Sequence, residues 1–262
     1  MATKDHQSEP IESASETLQR IFDGHGSVLG SQMADESSRY DVLKKTDFPK
    51  PQRTRRIAVA NQKGGVGKTT STVNTAAALA NKGAQVLVID MDPQGNASTA
   101  LGVSHASGEP SVYDVIEGRS DLGDVITVCP DFPTLDVVPA SIDLSGAELE
   151  VADLPNRNTL LKEALDLYLR QSDKHYDYVF IDCPPSLGLL VINAMCAVTE
   201  MLIPIQAEYY ALEGLGQLIN TIGLVQEHFN PVLLVSTMLV TMFDRRTSVS
   251  YTHLTLPTIL LV

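Results

Sequence analysis

One stretch of this 262-residue chain constrains its fold more than any other: VANQKGGVGKTTST, residues 59–72. The apolar run RIAVAN at 56–61 leads into it, and KTTSTVNTAAALANKG at 68–83 continues it with a helical pattern. A short apolar run favours a buried strand, and a strand followed by a glycine-rich turn and a helix is the context of a phosphate-binding loop. The sequence therefore predicts such a loop at the start of the main domain.

Each part of the predicted loop has an expected role. Its glycines allow a sharp turn whose backbone N–H groups face phosphate oxygens, and the helix N-terminus adds its positive end. Lys68 should carry its charge to the terminal phosphates, and Thr69 should offer its hydroxyl to Mg²⁺. The residues expected to bind nucleotide are Lys63, Gly64, Gly65, Val66, Gly67, Lys68, Thr69 and Thr70.

Lys63 has no role in the usual loop pattern. That pattern, G-x-x-x-x-G-K-[ST], would place a glycine at position 62, where this chain has Gln62. One loop has little use for two lysines on one phosphate, and a buried ammonium without a partner is energetically costly. We hypothesise that Lys63 reaches the nucleotide of a second, identical subunit.

Apolar runs alternate with helical patterns from residue 56 onward. Strands that alternate with helices indicate an α/β fold with a mostly parallel sheet and helices on both faces. The six predicted strands are 56–61, 85–90, 135–140, 176–182, 200–206 and 232–240. Helical patterns between them include 68–83, 156–171 and 209–228.

Aspartates end two of the predicted strands. Asp90 and Asp92 lie at the end of the second strand, and Asp182 ends the fourth. In an open α/β sheet the carboxyl ends of the strands face the ligand, so these carboxylates are expected beside the phosphate loop. Phosphoryl transfer to water needs a metal ion near the phosphates and a group that orients the water. The three aspartates are candidates for these tasks.

Two segments carry a resemblance to a known family. KGGVGKTT resembles the deviant Walker A motif of the ParA/MinD class of P-loop ATPases, and NQKGGVGKTT followed by VLVIDMDPQGNAST resembles its ParA/Soj partitioning branch. The resemblance implies ATP and Mg²⁺ as cofactors. It also implies an ATP-dependent homodimer of the sandwich type, in which Lys63 crosses to the partner's phosphates. The implied catalytic residues are Lys63, Lys68 and Asp92, and the implied metal site is Thr69, Asp90 and Asp182.

The same resemblance assigns roles to the aspartates. Asp92 would orient the attacking water. YVFIDCPPS at 178–186 resembles a Walker B strand, whose Asp182 would hold Mg²⁺ through water. Asp90 would support either the metal shell or the geometry of the switch loop. Residues 137–150 also resemble the family and would lie near the dimer face.

Members of this branch work with DNA and with a ParB-type centromere-binding protein. The resemblance implies nonspecific DNA, that protein and a cytoplasmic, nucleoid-associated location, with no membrane partner. The family uses basic residues of its later helices for DNA. Here the helix 209–228 has no Lys or Arg and carries Glu213 and Glu227, and the one late cationic pair is Arg245 and Arg246.

Other functions share this fold. The DPQGN motif at 92–96 argues against a MinD-like ATPase that positions division machinery at the membrane. An iron–sulfur carrier would need a C-x-x-C motif, which the chain lacks. A nucleotide-binding regulator without turnover stays open, because the motifs alone do not distinguish binding from hydrolysis.

Composition limits the partners and the compartment. The net charge of −13 argues against a protein that grips DNA with its whole surface. The three cysteines have no metal-type spacing and form no even disulfide set, which favours reduced thiols. No run of about 18 apolar residues predicts a membrane span.

The chain is expected to divide into three parts. Residues 1–52 are rich in Ser, Asp, Glu and Gln and predict a disordered leader. The ATPase domain is expected at 53–248. Residues 249–258 can be back-translated into DNA that resembles a transposase mosaic-end sequencing adapter, so we interpret 249–262 as an adapter-derived, non-native tail. The domain would then be truncated at its C-terminus, without its last elements.

Overall fold

A computed structural model describes residues 28–46, 48–206 and 211–242. The chain divides into two compact units, Met1–Pro49 and Lys50–Val262. In the first unit, helix α1 spans Val28–Lys45. The helix lies within the segment 1–52, for which disorder stays a prediction; composition measures how much apolar surface a segment can bury and not whether its backbone forms a local helix. The predicted tail, 249–262, lies outside the described residues.

The second unit is built on a sheet. Within its described part the strand order is β3-β4-β2-β5-β1-β6-β7, and every neighbouring pair is parallel except β3 with β4. The strands are β1 Arg55–Val59, β2 Val86–Asp90, β3 Thr127–Val128, β4 Leu135–Val138, β5 Tyr178–Asp182, β6 Glu200–Gln206 and β7 Leu234–Thr241. The mostly parallel α/β fold is confirmed. The short β3 was not predicted, because two residues carry no periodicity.

Helices connect most of these strands. They are α2 Lys68–Asn81, α3 Asn96–Ala100, α4 Val112–Ile116, α5 Leu144–Glu150, α6 Leu160–Gln171, α7 Leu189–Ala197 and α8 Ala211–His228, and a 3-10 turn spans Leu122–Val125. The predicted helices 68–83, 156–171 and 209–228 correspond to α2, α6 and α8.

Both faces of the sheet are covered by helices. Successive residues of β1 point to opposite sides, because a strand has a side-chain period of two. Val59 packs in one core with Ala76 of α2, whereas Ala58 packs in the other with Leu161 of α6 and Val191 of α7. Burial on both faces explains why the central strands β2 and β5 are continuous apolar runs and do not alternate between apolar and polar residues.

The register of the central strands brings their carboxyl ends together. β5 lies between β1 and β2, with Val59 opposite Asp182 and Asp90 opposite the same Asp182. The connection from β1 to β2 through α2 therefore passes over β5. The loop after β1 and the aspartates of β2 and β5 meet at one edge of the sheet, where open α/β folds bind ligands.

Candidate functional site

The loop between β1 and α2 has the backbone shape that its glycines predict. Gly65 and Gly67 adopt positive φ angles of 74° and 89°, which side chains rarely tolerate. A Cβ added to Gly64 or Gly65 would meet no atom within 4 Å, so the space over the loop is open. Gly67 caps α2 without a side-chain hydrogen bond. The first N–H groups of α2 are therefore placed to receive an anion.

A cavity of about 500 Å³ lies over this loop. Its volume falls within the range of roughly 300 to 1,000 Å³ that is typical of small-molecule sites. The predicted residues that line it are Gly64, Gly65, Gly67, Lys68, Thr69, Thr70 and Asp92. The side chains of Lys63, Val66, Asp90 and Asp182 do not line it. Val66 is buried beneath the loop.

The Lys68 side chain is buried under the loop. It is 7% exposed, and its Nζ donates a hydrogen bond of 3.4 Å to the backbone carbonyl of Lys63. Burial lowers the pKa of Lys68, and the nearby carboxylates of Asp182 and Asp92 oppose that shift. A triphosphate over the loop would bring negative charge to this desolvated ammonium.

Asp182, at the end of β5, is held by two hydroxyls of α2. Thr69 Oγ1 donates to its Oδ2 at 2.7 Å, and Thr72 Oγ1 donates to its Oδ1 at 3.0 Å. Burial raises the pKa of Asp182 to about 7, with further contributions from Asp90 and Asp92, while the two hydroxyls act in the opposite direction. Thr72 was missed from the sequence. Its signal is the spacing of three residues from Thr69, which places both hydroxyls on one helix face.

Asp90 is committed to hydrogen bonds within the protein. Its Oδ2 accepts from the backbone N and the Oγ of Ser98 at 2.8 and 2.7 Å, and its Oδ1 accepts from the backbone N of Asp92 at 3.2 Å. Ser98 Oγ in turn accepts from the backbone N of Ala140. Burial raises the pKa of Asp90. This geometry favours support of the loop after β2 over direct metal binding, and Ser98 was not predicted from the sequence.

Asp92 lies on the wall of the cavity. It is 8% exposed, its Oδ1 accepts from the backbone N of Gln94 at 3.0 Å, and its carbonyl accepts from the backbone N of Gly95 at 2.9 Å. Gly95 has a φ of +62°, which turns the chain into α3. The carboxylate is thus fixed at the end of a tight turn beside the open space of the loop.

Lys63 points away from the cavity, toward β6. Its Nζ donates to Oε1 of Gln206 at 2.9 Å, and its backbone N donates to Oδ1 of Asn61 at 3.0 Å. Gln206 ends β6, 143 residues farther along the chain. The sequence identified Lys63 as unusual, but no sequence pattern indicated this partner.

The donor set fits a nucleoside triphosphate with Mg²⁺. The Thr69 hydroxyl and the Asp182 carboxylate are oxygen ligands of the kind Mg²⁺ prefers, and Mg²⁺ completes its coordination with water and phosphate oxygens. The raised pKa of Asp182 reflects crowded carboxylates in a desolvated place, which a divalent cation would relieve. The described residues hold no group of three or more His, Cys, Asp or Glu side chains placed to bind a metal by themselves.

Three basic residues at the start of the second unit are paired with acidic groups. Lys50 pairs with Asp177, Arg55 pairs with Glu200, and Arg56 pairs with Asp166. The late cationic pair, 245–246, lies outside the described residues. No helix in the described part of the chain is long and apolar enough to cross a membrane. All three cysteines are unpaired and buried.

Comparison with known proteins relates the chain to partitioning proteins. A family model for an AAA domain, AAA_31, matches residues 54–235. The sporulation initiation inhibitor protein Soj of Bacillus subtilis is 50% identical over 192 residues, which cover 73% of this chain and 74% of the relative. The chromosome partitioning protein ParA of Caulobacter vibrioides is 46% identical over 194 residues, which cover 74% of this chain and 72% of the relative.

Solved structures with the same fold hold nucleotides. A structure named cobyrinic acid a,c-diamide synthase from Mycobacterium smegmatis, with bound ADP and magnesium, is 40% identical and has a TM-score of 0.70, covering 77% of this chain and 80% of that one. A plasmid partition protein from Borrelia burgdorferi, bound to AMPPNP, is 25% identical with a TM-score of 0.65, covering 77% and 81%.

Proposed function

Since this chain belongs to the AAA_31 family and, within it, to the ParA/Soj partitioning ATPases, we propose that it binds and hydrolyses ATP to partition chromosomal or plasmid DNA. One observation carries the proposal. Lys68, Thr69 and Asp92 line one cavity of about 500 Å³, and Asp182 at the end of β5 accepts a hydrogen bond from Thr69 beside it. We propose that the ATPase domain spans residues 53–248, a proposal that the family match to residues 54–235 supports.

The proposed site divides its tasks among its residues. The loop N–H groups and Lys68 bind the phosphates, because a buried ammonium and a helix N-terminus both favour anions. Thr69 and Asp182 would hold Mg²⁺, which when bound would neutralise part of the charge of the phosphates. Asp92 orients the water that attacks the terminal phosphate. Asp90 acts through its bonds to Ser98 and the Asp92 backbone, which fix the position of that carboxylate.

The proposal includes a homodimer that forms with ATP. Lys63 has no place on the cavity wall of its own subunit, which supports a role toward the nucleotide of a second subunit. Hydrolysis then removes the phosphate that holds the interface and returns single subunits, as in other nucleotide-driven switches.

The proposed partners are nonspecific DNA and a ParB-type centromere-binding protein, so the dimer would be found on the nucleoid. The names of the relatives support partition as the process. Lys50, Arg55 and Arg56 do not form a free basic patch for DNA, because each is paired with an acidic group.

Phosphate release from ATP tests the proposal. The full chain is assayed alone, with double-stranded DNA, with a ParB-type protein, and with both. Slow turnover that rises when both are added is expected. Tight ATP binding without turnover under all four conditions would instead identify a regulator that only binds nucleotide, and absence of ATP binding would refute the site itself.

A further inference from the structure

One arm of the phosphate loop is tied to the ends of β6 and β7. The Asn61 side chain donates to the carbonyl of Pro204 at 2.7 Å and accepts from the backbone N of Lys63 at 3.0 Å. Farther along the loop, Thr241 Oγ1 donates to the carbonyl of Val66 at 2.8 Å. These bonds fix the backbone from which the Lys63 side chain leaves.

The Lys63 side chain then continues toward β6. Its Nζ donates to Oε1 of Gln206 at 2.9 Å, and both residues are half-buried. The amide oxygen of Gln206 therefore occupies one of the three donors of the ammonium within the same subunit. A lysine that reaches the nucleotide of a second subunit gives up this contact with Gln206 when its Nζ moves to the phosphates.

We propose that Gln206 is a positioning residue that holds Lys63 in the separated subunit and so sets how readily the ATP dimer forms. The inference rests on the proposed function, in which Lys63 crosses to the partner's nucleotide. Gln206 stabilises the single subunit relative to the dimer by the hydrogen bond that has to break.

The size of the effect follows from that bond. A net hydrogen-bond contribution corresponds to a factor of roughly 2 to 10 in an equilibrium constant. Because each dimer releases two such bonds, the two factors multiply, and losing both bonds should change the dimer dissociation constant by roughly 4- to 100-fold. Nucleotide affinity of the single subunit should change little, since Gln206 does not line the cavity.

Two substitutions at Gln206 predict opposite shifts. Gln206→Met keeps an unbranched side chain of similar length but removes the acceptor, so the dimer dissociation constant should fall. Gln206→Glu places a carboxylate beside the ammonium, and because charge-assisted bonds are stronger, the constant should rise. The matched controls are Gln171→Met and Gln171→Glu at an exposed glutamine at the end of α6, which should leave it unchanged.

The measurement is the dimer dissociation constant by sedimentation of the full chain with AMPPNP, together with nucleotide affinity and thermal unfolding. Opposite shifts at Gln206, absent at Gln171, support the inference. If Gln206 had a purely structural role, both variants would destabilise the fold and shift their dimer dissociation constants in the same direction. That result would overturn the inference. Unchanged dissociation constants in both variants would overturn it as well. If Gln206→Met fails to fold, the direction of the Gln206→Glu shift decides.

Failure of the proposed function is recognised separately. If wild-type protein binds AMPPNP but stays a single subunit, or if Lys63→Gln dimerises as wild type does, then the crossing lysine is wrong and the inference falls with it. If wild type dimerises and Lys63→Gln does not, but the Gln206 variants fail to shift in opposite directions, only the role of Gln206 is refuted.

Discussion

The hydroxyl of Thr69 donates a hydrogen bond of 2.7 Å to the carboxylate of Asp182 and joins the first turn of α2 to the carboxyl end of β5. The two residues are 113 positions apart in the chain. Their contact requires that β5 lie next to β1, since α2 begins directly after the loop that follows β1. The contact places the two expected Mg²⁺ ligands next to each other, as a preorganised metal site requires.

Lys68→Ala should weaken ATP binding by roughly 10- to 100-fold, because charge-assisted hydrogen bonds are worth about 1.5 to 3 kcal/mol. Titration with a fluorescent ATP analogue measures the loss. Lys82→Ala, at the other end of α2, is the control and should bind as wild type does. Tight binding by Lys68→Ala would remove this lysine from the site.

Asp92→Ala should keep ATP binding and lower turnover by roughly 100-fold or more, the usual cost of losing a group that orients or activates a nucleophile. The variant should therefore accumulate ATP-bound dimers, which size-exclusion chromatography with light scattering detects. Asp92→Asn removes the charge but keeps an oxygen that can accept from the backbone N of Gln94. It therefore shows whether the effect comes from the lost charge or from a disturbed turn. Undiminished hydrolysis in both variants would contradict the assignment.

Thr72→Val should lower both the stability of the fold and the affinity for Mg²⁺·ATP. It removes the hydroxyl that donates to Asp182 Oδ1 in a fully buried place, and an unsatisfied buried acceptor costs about 1 to 3 kcal/mol. Urea unfolding and nucleotide titration measure the two effects. Thr72→Ser keeps the hydroxyl and should restore affinity. If Thr72→Val and Thr72→Ser show the same stability and the same affinity for Mg²⁺·ATP, the hydrogen bond from Thr72 to Asp182 does not contribute to either.

The stability of the ligand-free chain should fall as the pH rises from about 4 to 7 because of Asp182. Burial raises its folded-state pKa from 3.8 to about 7, so in that range the folded state holds a proton that the unfolded state releases. Above pH 7 the Asp182 shift lowers the free energy of unfolding by on the order of 4 kcal/mol relative to pH values below about 4. Asp182→Asn does not ionise and should lack this contribution. Parallel stability curves for both proteins between pH 5 and 8 would contradict it.

The three thiols should be unreactive in the native protein. Cys129, Cys183 and Cys196 are buried, and burial raises the pKa of Cys183 above its usual range and that of Cys196 to about 11, which disfavours the reactive thiolate. An aromatic disulfide reagent at pH 7.5 should label none of them natively and all three in denaturant. Fast labelling of a native thiol, located by mass spectrometry, would show that its surroundings open.

Much of the site could be predicted from the sequence because it is local. The glycines, Lys68 and Thr69 lie within a few residues of one another, and the backbone turn that they form depends on short-range geometry. Aspartates at strand ends could be assigned to the same edge, because parallel strands share their direction. The alternation of strands and helices was enough for the fold class.

Contacts between distant segments could not be predicted in this way. The bonds of Lys63 to Gln206, of Asp182 to Thr72, and of Arg55 to Glu200 each join residues more than 100 positions apart. They depend on which strands are neighbours and in what register, and no local pattern specifies either. Lys50, Arg55 and Arg56 lie close together in the sequence, yet the fold pairs each of them with an acidic residue.

The sequence by itself determined where phosphates are expected to bind, since a strand, a glycine turn and a helix entry generate that geometry from neighbouring residues. Only the tertiary structure decided what each side chain does beside it. It brings Ser98 to Asp90 and Thr72 to Asp182 as hydrogen-bond donors, and it brings Gln206 of β6 to Lys63 as an acceptor. The physical reason is that burial and hydrogen bonding are properties of the space around a residue, and that space is filled by segments far away in the chain.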